Sequence, residues 1–383
     1  MRRHTMIDHP TLRLNPFLAG VALALSAGAC TSDAPGSPSG IGDVDPPNVA
    51  PPDGQCSIPR SEIYGGGPGK DGIPAITGPT WVRAGESGTD YLLDDDRVVG
   101  FHIDGDAYAI PLNILWWHEI VNLNLGETPF SVTHCPLTGS SMAFDRSAAN
   151  GAEFGVSGLL YQNNLVMYDR NSAESLWPQM LRRAGCGNLD GTPLPMVPVM
   201  EMEWAGWRSL NPTTRVMPNT TGWDRDYTRY PYGGYDRPGN PAVLFPQEVD
   251  LRRPPKERGL GIPFLNGGIV FPYGVLDEMG ELVTIRETVG NIEMTVFWSR
   301  EFQGAVAYHT EFHGQFLTFA VEDGEIVDEE TGTTWRFDGL GISGPLAEER
   351  LVPVAEAFVA FWFAWPAFYP EIRIWGTPFD AAS

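Results

Sequence analysis

Ala109-Ile110-Pro111-Leu112-Asn113-Ile114-Leu115 is answered about 160 residues later by Ile269-Val270-Phe271-Pro272-Tyr273-Gly274-Val275-Leu276. The echo continues in both directions. Phe130-Ser131-Val132-Thr133 and Ser140-Ser141-Met142-Ala143-Phe144-Asp145 match Glu293-Met294-Thr295-Val296 and Gly304-Ala305-Val306-Ala307-Tyr308-His309. Tyr168-Asp169-Arg170 through Trp177 matches Val327-Asp328-Glu329 through Trp335. Val197-Pro198-Val199 through Trp204, Trp207 and Asn211-Pro212 matches Val352-Pro353-Val354 through Trp362, Trp365 and Tyr369-Pro370. A period this long predicts a duplicated folding unit, since solenoid repeats run about 20–50 residues.

Short β-branched and aromatic runs separated by Gly, Pro and Asp dominate the chain. Strands are expected at 98–103, 107–110, 130–134, 141–144, 165–168, 269–271, 282–286, 293–297, 305–309, 316–321 and 334–337, with turns such as Asp104-Gly105 and Asp323-Gly324. Helices are expected at 111–121, which has Pro in its first turn, and at the matched pair 199–209 and 355–364. The fold class is therefore α+β and β-rich: two tandem homologous repeats packed into one compact pseudo-symmetric body with short helices. The first repeat covers about 96–216, an aromatic connector 217–263, and the second repeat about 264–376. The apolar stretch 358–368 resembles a membrane segment, but its counterpart carries Glu201, Glu203 and Arg208, which a span would not hold, so a buried helix and turn is expected.

The N-terminus reads as an address. Arg2, Arg3 and Arg13 precede an apolar run that ends at Ala27-Gly28-Ala29-Cys30, the layout of a secretory signal. Cys directly after small residues resembles a bacterial lipoprotein signal, with residues 1–29 removed and Cys30 lipidated. Residues 30–55, rich in Pro, Gly and Ser, form a tether with little to bury. The expected location is exported and lipid-anchored, facing the periplasm or cell exterior, with the membrane as partner through Cys30.

The full chain has 25 basic and 48 acidic side chains, a net charge of −23. Removing residues 1–29 takes away three Arg and one Asp and leaves the chain still more negative. That field repels polyanions, so no nucleic-acid partner is expected. After Cys30, three cysteines remain: Cys56, Cys135 and Cys186. Cys56 and Cys186 lie in Gly-rich or polar loop sequence and are the expected disulfide of an oxidising compartment. Cys135 ends an apolar strand and is the unpaired thiol.

The chain also resembles a bacterial family known as domain of unknown function 3179. The residues that carry the resemblance are Cys56-Ser57-Ile58-Pro59, Lys70-Asp71-Gly72-Ile73-Pro74-Ala75, Tyr91-Leu92-Leu93-Asp94-Asp95-Asp96, Trp117-His118-Glu119-Ile120-Val121-Asn122, Cys135-Pro136-Leu137-Thr138-Gly139, Phe154 through Tyr161, and Phe361-Trp362-Phe363-Ala364-Trp365. The resemblance covers nearly everything after the tether and implies an exported protein. It implies no activity. Some members carry Cys where Thr138 stands, a thiol this chain lacks.

Chemistry is expected in the first repeat. It carries His118-Glu119 and His134-Cys135-Pro136 where the second has Met279-Gly280 and Val296-Phe297. His134 and Cys135 are strand neighbours and point to opposite faces, so His118 is the better partner for Cys135. One reading is a copper or zinc site on Cys135 and His118, with His309 or His313 as a further ligand. Another is a thiol enzyme with Cys135 as nucleophile, His118 as base, Glu119 or Asp145 orienting the imidazole, and Ser157 or Gly158 amides as an oxyanion hole. A third is a non-catalytic surface binding or structural module, in which the acidic, aromatic-edged connector contacts a partner or glycan; in the plain packing reading Cys135 is a small buried apolar group and His118 a hydrogen-bonded core group. Asp145-Arg146 and Asp169-Arg170 read as strand-end charges. A site between the repeats should lie under residues 230–235 of the connector, which this reading places across the body.

Overall fold

Two hairpins organise the structure. Arg97–Ile103 and Asp106–Pro111 pair antiparallel around Asp104 and Gly105, both at positive φ, the turn that right-twisted strands accept. Pro111 ends the ladder, and its fixed φ leads into the helix Leu112–His118. Met200–Glu203 extends this hairpin antiparallel on one edge, and Arg215–Val216 extends it parallel on the other. In the second region Arg258–Phe264 and Gly267–Pro272 form the hairpin, and Pro272 leads into the helix Tyr273–Met279. Here Phe358–Phe361 pairs antiparallel on one edge and Glu371–Ile374 parallel on the other.

After each helix comes a three-stranded antiparallel piece. The first is Ile120–Leu123, Phe130–Cys135 and Ser140–Asp145; the second is Leu282–Val289, Ile292–Ser299 and Gly304–His309. The two regions cross over to complete each other. Ser141 pairs with Val359, so the first three-stranded piece joins the second hairpin in one nine-stranded sheet. On the other side Glu203 N donates to Phe302 O at 2.9 Å, bringing the first hairpin's added strand against the second three-stranded piece.

This computed structural model describes residues 55–171 and 174–377, so the leader, Cys30 and the tether up to residue 54 lie outside the described residues. Everything described belongs to one compact unit. Cys56 and Cys186 are disulfide-bonded, which ties the start of the described chain to residues 130 positions later.

Several expected elements have different bounds. The helices expected at 199–209 and 355–364 are each a strand followed by a shorter helix: Met200–Glu203 then Trp204–Leu210, and Phe358–Phe361 then Ala364–Phe368. The reason is two-sided burial. Met200 and Met202 enter one core cluster while Glu201 between them turns the other way and is also buried, a period of two that an all-apolar counterpart hides. The helix expected at 111–121 stops at His118, because Glu119 has φ +57° and Ile120 starts a strand. The strand expected at 316–321 is broken into Gln315–Phe316 and Phe319–Glu322. Residues 258–263, assigned to the connector, belong to a hairpin strand. Asp169 is no surface charge: it is buried and accepts from Trp177 Nε1 at 2.8 Å, just as Asp328 accepts from Trp335 Nε1 at 2.8 Å. Residues 358–365 lie in the core, with Phe368 partly buried against it, and no helix among the described residues is long and apolar enough to cross a membrane.

Each hairpin carries one glycine against a buried indole. A Cβ on Gly100 would lie 2.4 Å from the Trp207 ring, and one on Gly261 would lie 2.2 Å from the Trp365 ring. Since overpacking a filled core costs about 1–3 kcal/mol, Gly100→Ala and Gly261→Ala should each lower unfolding stability by at least that much. Urea titration measures it, and a neutral result at either site would contradict the packing described.

Candidate functional site

Cys135 ends the strand Phe130–Cys135, opposite Ser140. It is 1% exposed, within a cluster containing Leu165, Met167 and Trp177. Leu165 N–H points to its sulfur at 3.3 Å, and the Asn163 carbonyl lies 4.0 Å away. Burial first, then the nearby Glu119 carboxyl, pushes the thiol up to about 11. Such a group is protonated at neutral pH, and the thiolate is the reactive form. The connector lies on this side of the body: Tyr232 and Tyr235 pack against the same cluster, and Tyr235 OH donates to Leu137 O at 2.9 Å.

His118 is fully buried at the end of its helix, with both ring nitrogens engaged. Nδ1 lies 2.7 Å from Pro74 O and Nε2 lies 2.7 Å from Tyr227 OH. Since a carbonyl only accepts, Nδ1 carries the proton and Nε2 accepts from the tyrosine. Burial lowers its pKa to about 4, against the opposing Pro74 bond. Glu119 is 6% exposed in its left-handed conformation, with no hydrogen-bond donor to its carboxyl among the described residues, and burial raises it to about 8. Neither His118 nor Glu119 hydrogen-bonds Cys135.

The remaining expected residues are dispersed. Asp145 caps a short turn by accepting from Ser147 N at 2.7 Å, at the far end of its strand from Ser140. Ser157 bonds within its own hairpin, to Val166 O and Leu159 N. Gly158 has its Cα face closed by the Pro68 and Gly69 backbone. His309 ends the strand Gly304–His309 in the second region, and the exposed His313 stacks on Phe312. Among the described residues no three His, Cys, Asp or Glu side chains converge on a point that could hold a metal ion. With His118 engaged on both sides, Cys135, His118 and His309 do not fit copper or zinc.

A different set does converge, where the two regions meet. Glu201, 3% exposed, accepts from Arg97 Nε at 2.6 Å and from Ser141 Oγ, and Arg258 Nε lies 3.6 Å from the same carboxylate. His134 Nδ1 lies 3.0 Å from Ser141 Oγ. Burial pushes Glu201 up, but Arg97 and Arg258 outweigh it and hold the carboxyl below its ordinary range. Burial lowers His134 to about 4. Tyr273 OH is buried beside the Ala305 backbone N–H, gives its own proton to no acceptor among the described residues, and feels the charges of Arg97, Glu201 and Arg258. Sequence reasoning passed over Arg97, Ser141, Glu201, Arg258 and Tyr273. One signal was present: Arg97 and Arg258 open the two matched hairpins.

A β-rich body of several sheets with few short helices and a buried polar centre defines a class by architecture alone. The family model described as "Protein of unknown function (DUF3179)" matches residues 70–372, and the chain belongs to that family. The chain matches no curated protein and no solved structure.

Three of these groups set opposing pH slopes. The two histidines, with folded values of about 4 against an ordinary 6.5, contribute stability present above 6.5 and lost as pH falls towards 4. Glu119, raised from 4.5 to about 8, contributes stability present below 4.5 and lost as pH rises towards 8. Stability should therefore peak near neutrality and decline on the alkaline side. Glu119→Gln should remove most of that alkaline decline, worth about a few kcal/mol, in urea titrations run from pH 6 to 9. An unchanged slope in the variant would refute the assignment.

Proposed function

We propose that this chain is an exported, lipid-anchored binding module, made by duplication of one folding unit, whose ligand site is the polar centre around Glu201. The observation that carries the reading is the convergence of Arg97, Ser141, Glu201, Arg258 and His134 from five segments and both regions onto one buried locus. Building such a centre costs desolvation of several charges, a cost more readily retained for recognition than for packing.

Export is supported by the leader sequence before Cys30 and by the Cys56–Cys186 bond that follows the tether, since disulfides persist in oxidising compartments. Duplication is supported by the matching neighbours of the two hairpins and by the matched indole–aspartate bonds. Ladder register refines the correspondence. Cys135 faces Ser140 as Ser299 faces Gly304, so the counterpart of Cys135 is Ser299 rather than Phe297. By the same register Trp298 answers His134, Ala305 answers Ser141 and Val359 answers Glu201. At these last three positions the second unit is the apolar one.

Thiol catalysis and a copper or zinc centre gain no support from the surroundings of Cys135 and His118. In the folded chain Cys135 should react with iodoacetamide at neutral pH no faster than the protein unfolds, and at an ordinary thiol rate in urea. Rapid alkylation of the folded protein would restore the nucleophile reading. Labelled palmitate should enter the chain in cells and be lost in Cys30→Ala; retention of label in that variant would refute the anchor.

A further inference from the structure

The polar centre is unbalanced, and register shows how. On the first hairpin Arg97 stands opposite Glu203 and Val99 opposite Glu201, so a carboxylate lies one pleat from the arginine. On the second hairpin Arg258 stands opposite Phe361 and Leu260 opposite Val359. Val359 occupies the place that Glu201 occupies beside Arg97. The consequence appears in the hydrogen bonds. Arg97 donates to Glu201 Oε1, Glu201 O and Gln303 O. Arg258 lies over the Phe361 ring at 5.1 Å and has the 3.6 Å ion pair to the already engaged Glu201, but its guanidinium makes no hydrogen bond among the described residues. Its side chain is 21% exposed, so a ligand can reach it.

The neighbouring groups fix what else a ligand needs. Ser141 Oγ donates to the Glu201 carboxylate, so it must accept from His134 Nδ1–H. That leaves His134 Nε2 as an acceptor with no partner among the described residues, on a ring 2% exposed and neutral because burial lowers its pKa to about 4. The Tyr273 hydroxyl, with the Ala305 N–H beside it but no acceptor for its own proton among the described residues, faces the same charges. A fork of unfilled N–H donors asks for a carboxylate; a free imidazole nitrogen asks for a donor.

We propose that the centre binds a small organic carboxylate bearing an adjacent hydroxyl, its carboxylate on Arg258 in the place that Val359 leaves without charge, and its hydroxyl donating to His134 Nε2. Tyr273 OH is the further donor to the carboxylate. Asp236 of the connector is the other acidic group felt by Arg258, and it lies outside ion-pair distance, so it does not fill the position.

The inference rests on the binding-module reading and is tested on the purified chain by isothermal titration with glycolate, the simplest such acid, against acetate and inorganic phosphate. One glycolate should bind per chain, more tightly than acetate or phosphate. Arg258→Gln should weaken it about 10- to 100-fold, the loss expected for a charge-assisted fork, and His134→Gln should narrow the preference over acetate. Arg258→Lys, which keeps the charge without the fork, should give an intermediate loss and serves if the Gln variant does not fold. No glycolate heat at millimolar concentration, stronger binding of phosphate, or unchanged affinity in a folded Arg258→Gln would overturn the site. Loss of glycolate binding in a folded Cys135→Ser variant would instead count against the binding-module reading, because it would return the thiol to the function.

Discussion

A strand with one unpaired edge exposes a row of N–H and C=O groups that must be covered by a partner or by another chain. Here the edge of Ser140–Asp145 is met by Phe358–Phe361, which arrives from more than 200 residues further along the chain. That pairing makes one nine-stranded sheet from two regions and sets everything else in place. It brings Ser141 opposite Val359, aims Glu201 at arginines from both hairpins, and closes the body over cores packed with Trp177, Trp362 and Trp365. The nine-stranded sheet draws strands from both regions, so the locus at their boundary exists only in the whole fold.

Much of the architecture could be read from the order of residues. Period-two apolar runs gave most strands to within a residue or two, and the Pro111 step located the start of one short helix, while the helix Tyr273–Met279 after Pro272 was not expected. The misses share a cause. Strands buried on both faces, such as Met200–Glu203 and Phe358–Phe361, lose the alternation that marks a strand beside water. The sequence also cannot say that Glu119 leaves the helix in a left-handed turn, because that conformation is imposed by the strand starting at Ile120.

Less of the site was legible. His118 and Cys135 drew notice because imidazole and thiol are the most reactive types available, yet each has its own local partners: Pro74 and Tyr227 for one, the Leu165 amide for the other. Sequence reasoning does not single out Arg97 or Arg258, and Glu201 reads only as a charge that a membrane span would not hold. What distinguishes them is long-range: 104 positions separate Arg97 from Glu201, and Arg258 comes from the other hairpin. Such a cluster is assembled by the fold and has no local signature in the sequence.

The disulfide has a mechanical meaning as well. A pull applied to the chain at Gln55 passes to Cys56 and across a covalent bond to Cys186, beside the buried strand Leu176–Pro178, before it reaches the three-residue strand Ile63–Gly65. Hydrogen-bonded strands peel readily from an end; a sulfur–sulfur bond does not. Load entering from that end is therefore delivered to Leu176–Pro178 on one edge of the four-stranded sheet, and Ile63–Gly65 on the opposite edge is shielded from it.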